Sequence, residues 1–333
     1  MSSFAFYTTK ANDVTHVDVH FNLWCHCGWK KIPPFLDIGI KIKKLQEGIT
    51  LSIQVPFEVQ KDEIFDLGAA LRNVSVLDAV FNENYGCEAL GGPQGKWAIV
   101  VEYIDGKPVD KFALYNLSKE NNISLNSSGE NGKKKSVIII DIPNDIPERV
   151  KDKDVYIRFR LRTPQLSTII RTYSRPMEKI RGVFSKNYVI DFRYNDARSF
   201  SPDELEKLHD TSRFVLTDTI HFLLMSKAYV DVSVGSSDVQ GRELESNVWD
   251  SYVNMPKSNK NPTDTLDTTD VVAYHVSRKS VNKSGKEDGW VFFAKESVEQ
   301  ETWHEVGIFL LCTLFITVAV NLLSNWIYDL LRN

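Results

Sequence analysis

Arginine dominates the segment between Arg158 and Lys186. Arg158, Arg160, Arg162, Arg171, Arg175, Lys179, Arg181 and Lys186 stand there against one acid, Glu178. That is a charge of +7 in a chain of net charge −4, so the remainder sums to −11. Arg158, Arg160 and Arg162 alternate with Ile157, Phe159 and Leu161, a strand pattern that sets three guanidinium groups in a row on one face. Planar guanidinium forks match phosphate and carboxylate oxygens two at a time. The expected set for an anionic ligand or an acidic partner is therefore Arg158, Arg160, Arg162, Arg171 and Arg175. The competing expectation is that these arginines pair with the chain's own acids.

A second cluster has the residue types of a metal site. His16, His20, Cys25, His26 and Cys27 fall within twelve positions, and zinc takes such ligands. The spacing argues against it. Residues 14–27 alternate as a strand, and at roughly 3.3 Å per residue His16 and His20 lie roughly 13 Å apart. Alternation also turns Cys25 and Cys27 to the apolar face, away from His16 and His20. The expectation is core cysteines, a polar outer face, and no metal or other cofactor.

The third pattern lies near the C-terminus. Thr313, Thr317, Asn321 and Asn325 follow at four-residue steps, with Ser324 beside them, and line one helix face. They sit in an uncharged apolar run, Val306 to Tyr328. Within lipid, such groups favour contact with another helix, and Asn321 is the deepest strong hydrogen-bonding group. The sequence holds no G-x-S-x-G elbow, no G-x-x-x-x-G-K-[ST] phosphate loop and no H-E-x-x-H pair. The expectation is a non-enzymatic protein.

The elements that must position these residues follow from periodicity. Val17, Val19, Phe21 and Leu23 alternate with polar residues, as do Leu36–Lys43 and Ile49–Phe57, whose link Gln46-Glu47-Gly48 predicts a hairpin. A short helix is expected over Lys61–Asn73. Strands are expected over Val74–Phe81, Trp97–Ile104, Lys111–Leu117, Val137–Ile142 and Val155–Leu161, with an open polar loop over Asn116–Lys135. After an irregular stretch, Tyr188–Tyr194 and Val230–Val234 read as strands and Ser201-Pro202-Asp203-Glu204 as a helix start. Phe214–Met225 reads equally as helix or buried strand. Arg242–Tyr252 reads as a helix, and Val271–Val276 with Trp290–Ala294 as a hairpin.

The fold class expected is mainly β, an antiparallel β-sandwich over 1–165, followed by an α+β region over 185–300 and a transmembrane helix over 304–328. The 23 residues from Val306 to Tyr328 reach roughly 35 Å as a helix, enough to cross a hydrocarbon core. Trp303, Trp326 and Tyr328 frame the run as interfacial aromatics do. The N-terminus lacks a basic region followed by an apolar one, so no signal peptide is expected. Four scattered cysteines make no disulfide framework. Together these predict a single-pass, tail-anchored protein with its N-terminal body in the cytoplasm. The overall acidity argues against nucleic acid as a partner. The functional expectation is a scaffold, adaptor or sensor at a membrane that self-associates or docks on a membrane-protein partner. The alternative is an effector whose helix assembles into a pore or disturbs the bilayer once ligand binds.

Overall fold

The structure, a computed structural model, describes residues 3–8, 15–25, 33–92, 95–128, 134–173, 185–199, 213–236, 238–254, 266–279, 289–299 and 303–332. The architecture is mainly β, with one C-terminal apolar helix, as the periodicity predicts. One large sheet forms the centre. Its strand order is β17 (Gln240–Glu243), β18 (Val271–Lys279), β15 (Leu216–Lys227), β2 (His16–Trp24), β3 (Phe35–Leu45), β11 (Lys153–Leu161), β8 (Lys107–Tyr115), β7 (Trp97–Ile104) and β6 (Tyr85–Leu90), and β5 (Ile64–Asp66) also pairs with β11. Two smaller sheets lie on one face. One runs β14 (Arg213–Phe214), β1 (Ala5–Thr8), β4 (Ile49–Val55), β10 (Lys135–Ile142), β9 (Ile123–Ser128). The other runs β12 (Ile170–Tyr173), β13 (Ser185–Tyr194), β19 (Trp290–Glu299), β16 (Asp231–Val234).

Alternation builds the main core. Val17, Val19, Phe21 and Leu23 of β2 are fully buried against both small sheets. Phe21 meets Phe4 at 5.7 Å and Phe192 at 4.6 Å between ring centroids, and Phe222 stacks on Phe292 at 4.1 Å. Such aromatic pairs add to the burial of their area. Backbone bonds at Phe4, whose N–H donates to Arg193 O and whose carbonyl accepts from Asn195 N, stitch the two small sheets together.

The opposite face of the large sheet carries a second core. Helices α1 (Gly68–Leu71), α2 (Val74–Phe81) and α3 (Ser246–Val253) cover it with Leu71, Val76, Leu77, Trp249 and Tyr252, packed on Trp24, Phe35, Phe112 and Met225. The molecule is thus small sheets, large sheet and helices in three layers.

Several local expectations are corrected. Val74–Phe81 is a helix, not a strand: Asn73 Oδ1 accepts from Ser75 N at its start, and Asn82, at φ 57°, ends it in the left-handed region. Lys61–Asn73 is not one helix but a 3-10 turn at Lys61–Glu63, then β5, then α1. The polar stretch 116–135 contains β9, anchored by buried Ile123. Phe214–Met225 resolves as strand, and the expected helix from Arg242 starts at Ser246. The helix start at Ser201 lies outside the described residues. Strands from 1–165 and 185–300 share sheets: β15 pairs in parallel with β2, and β14 pairs antiparallel with β1. Among the described strands, two pairings are parallel, β2 with β15 and β8 with β11, and the others are antiparallel.

Candidate functional site

Strand β11 alternates as its sequence predicts, yet the arginine face does not meet water. Arg158 and Arg160 are buried, and α3 lies across them. Arg160 stands opposite Asp37 of β3 in register and grips it with both arms: Nε donates to Oδ1 at 2.6 Å and Nη2 to Oδ2 at 3.0 Å. Arg160 Nη1 and Arg162 Nη2 also donate to the Val253 carbonyl, at 2.6 and 3.0 Å. That carbonyl ends α3, where orphan acceptors and the helix dipole attract cations. Tyr252 closes the cluster, donating to Asp37 Oδ2 at 2.7 Å and accepting from Arg158 Nε at 2.6 Å. Burial pushes the Asp37 carboxyl up, but the Arg160 charge and hydrogen bonds outweigh it and hold Asp37 below the usual carboxylate range. Burial and then the Arg160 charge push Arg162 down to about 10. The expected open row of Arg158, Arg160 and Arg162 is therefore corrected: it is a clasp that seats α3 on the sheet.

The polar row continues along the same face. Arg158 Nη1 donates to Tyr156 Oη at 2.8 Å, and Tyr156 Oη lies 3.3 Å from His20 Nδ1. His20 packs on His221 at 4.8 Å between centroids, and His221 Nδ1 lies 3.1 Å from His275 Nε2. Burial, then the neighbouring His221 and Arg158, set His20 well below the ordinary histidine range; burial also lowers His221 and His275. All three rings are thus biased toward the neutral form. The chain's linear order hides this trio, since its members come from three strands; only the pairing of β15 with β2 on one side and β18 on the other brings them together. Among the described residues no three His, Cys, Asp or Glu side chains converge as metal ligands. His16 instead meets Asp218 at 2.8 Å, and Cys25 is buried and forms no disulfide among the described residues. His26 and Cys27 lie outside the described residues.

Arg171 stands elsewhere, on the outer face of the four-stranded sheet. A groove of about 770 Å³ opens there, lined by strands β12, β13, β16 and β19. Its centre is one cross-strand row: Arg171, Val189, Lys295 and Ser233 are successive register partners. The next row is Tyr173, Asn187, Ser297 and Asp231. Arg171 is 57% exposed and touches Asp191 at 3.3 Å; Asp191 is held more closely by Arg193, at 3.0 Å. Lys295 has no ion-pair partner among the described residues. Phe293 and Tyr173 are exposed on this face. Chemically, the groove offers two long cations flanking a short apolar floor, with aromatic walls. Arg175 lies outside the described residues.

Helix α4 (Trp303–Arg332) carries the remaining candidates. Its stretch Val306–Arg332, 27 residues, is long and apolar enough to cross a membrane. From Ile308 to Arg332 every side chain but Phe309 is exposed. Thr313 Oγ1 donates to Phe309 O at 2.9 Å and Thr317 Oγ1 to Thr313 O at 2.8 Å, so both hydroxyls are satisfied within the helix. Asn321 and Asn325 remain on that face as the stronger hydrogen-bonding groups.

Comparison with known proteins finds no family model that matches the chain and no match among curated proteins.

Proposed function

We propose that this chain is a non-enzymatic membrane-anchored binding protein. Its β-rich body takes an anionic ligand or partner, and α4 both spans the bilayer and associates with another helix. The observation that carries the reading is α4 itself. A span of 27 mostly apolar residues extends roughly 40 Å and turns its leucines, isoleucines and Phe315 outward. In water such a surface would aggregate, whereas in lipid it is at home.

The body's part in the reading rests on the groove beside Arg171 and Lys295, a concave, charged and accessible feature of the described surface. The buried arginine clasp supports it indirectly, by assigning Arg158 and Arg160 a structural task. The phosphate chemistry of nucleic acid offers a poor alternative, given the chain's net charge of −4.

Self-association falls to Asn321. An amide in hydrocarbon gains roughly 1–2 kcal/mol by bonding a facing helix. The test is the mass of the intact full-length chain in mild detergent, beside Asn321→Leu. The expected result is a discrete homo-oligomer that dissociates in the variant. A monomer in both would contradict self-association, and a stable complex with another membrane protein would identify the helix partner instead.

A further inference from the structure

The groove on the four-stranded sheet has a defined place relative to α4. Strand β19 ends at Glu299 and α4 begins at Trp303, so only residues 300–302 intervene. Four Cα steps cover at most about 14 Å. The groove uses the half of the sheet nearest that exit: Phe293, Lys295 and Ser297 of β19, Asn187 and Val189 at the start of β13, and Arg171 and Tyr173 at the end of β12. The register agrees, since Ser185 pairs with Glu299 while Tyr194 pairs with Trp290 at the far end. If α4 spans a bilayer, the groove lies beside the head groups.

Its chemistry fits that position. Arg171 and Lys295 are separated by one strand, so their backbones stand roughly 10 Å apart. Both side chains are long and rise on the outer face, with Val189 between them too short to block their convergence. That spacing suits a single phosphate taken from two sides. Tyr173 and Phe293, 43% and 41% exposed, give the face the aromatic character of surfaces that rest at the head-group level. The acids are placed compatibly. Asp191 is held most closely by Arg193, at 3.0 Å, and also reaches Arg171 at 3.3 Å; Glu296 is buried; Asp231 stands on the edge strand β16, beside the strand of Lys295 and three strands from Arg171.

We infer that the groove seats the phosphate of an anionic phospholipid head group between Arg171 and Lys295, holding the four-stranded sheet against the bilayer. The inference rests on the spanning reading of α4 and names the ligand of the proposed site. The shared chemistry is a phosphate, and the source is the membrane itself.

The experiment is backbone hydrogen exchange of the full-length chain in lipid nanodiscs of phosphatidylcholine alone and of phosphatidylcholine with phosphatidylserine. Slower exchange over 171–173, 187–189 and 293–297 is expected only with the anionic lipid, weakening as salt rises. Each basic residue near an anionic surface contributes about fivefold in affinity. Arg171→Glu with Lys295→Glu should abolish the protection while exchange in β2 and β3 stays unchanged, and Lys295→Arg should keep it. Equal exchange in both disc compositions, or protection that survives the double variant, would overturn the inference and leave the spanning reading intact. Equal protection by soluble glycerophosphoserine in detergent would also overturn it, by making the ligand a free phosphate ester. Failure of the chain to enter either disc would contradict the spanning reading and the inference with it.

Discussion

Arg160 and Asp37 lie wholly out of water, where a lone charge is not tolerated, and each is the other's remedy. Removing one partner strands the other. Asp37→Ala is therefore expected to lower stability by about 3–5 kcal/mol, read from the denaturant midpoint of the detergent-solubilised chain. The pH dependence has a definite sign. The folded Asp37 carboxyl titrates below its unfolded value of about 3.9, so its contribution is present at neutral pH and is lost as pH falls through the folded value. The acid-induced loss in wild type, below pH of about 4, should be smaller in Asp37→Ala. A second test lies at Gly39, the residue over which Tyr156 crosses β3 to reach His20. A Cβ there would clash with the Tyr156 hydroxyl and ring. Gly39→Ala should cost about 1–3 kcal/mol, as overpacking does, and wild-type stability in the variant would contradict the crossing. At this scale the alternation of Arg158, Arg160 and Arg162 was legible in the residues. What covers that face was not, because Asp37 lies 123 residues from Arg160 and Tyr252 lies 94 from Arg158.

Helix α2 is where local composition and local signals disagree. Val74-Ser-Val-Leu-Asp-Ala-Val-Phe is rich in β-branched and aromatic residues, the types that favour strands. The caps decide otherwise. Asn73 supplies a side-chain acceptor to the first turn, and Asn82 tolerates the left-handed conformation that ends the last. Val76 and Leu77 then bury against the large sheet, while Phe81 packs on Phe112 at 4.9 Å and on Tyr156 at 5.0 Å. Both asparagines stood in the sequence, so this helix was legible from its ends though not from its interior. Asn73→Ala should cost about 1 kcal/mol. An unchanged denaturant midpoint would show that packing alone sets the helix. By contrast, alternation identifies β2, β3 and β4 as strands, because each has one face on the core; the expected hairpins are corrected, since β3 and β4, like β18 and β19, lie in different sheets and do not pair.

For the whole molecule, the long-range pairings set the architecture. The large sheet joins residues 16–24 to 216–227 in parallel, across some 200 positions of chain. Periodicity within a strand carries no information about such a neighbour, so the partnership of β2 with β15 is not legible in the sequence. The arrangement places β19 in the small sheet that leads directly to α4, so the groove and the apolar helix stand at one end of the chain's path. The apolar helix was the most legible element of all, since 23 uncharged residues need no partner to be recognised. The proposed anchoring and head-group contact both depend on α4 crossing a bilayer. The most direct test is alkaline carbonate extraction of membranes carrying the full-length chain, followed by flotation. The chain is predicted to stay with the membrane fraction and to rise with the vesicles. Release into the soluble fraction would mean that α4 packs against protein instead of lipid, and would contradict the account.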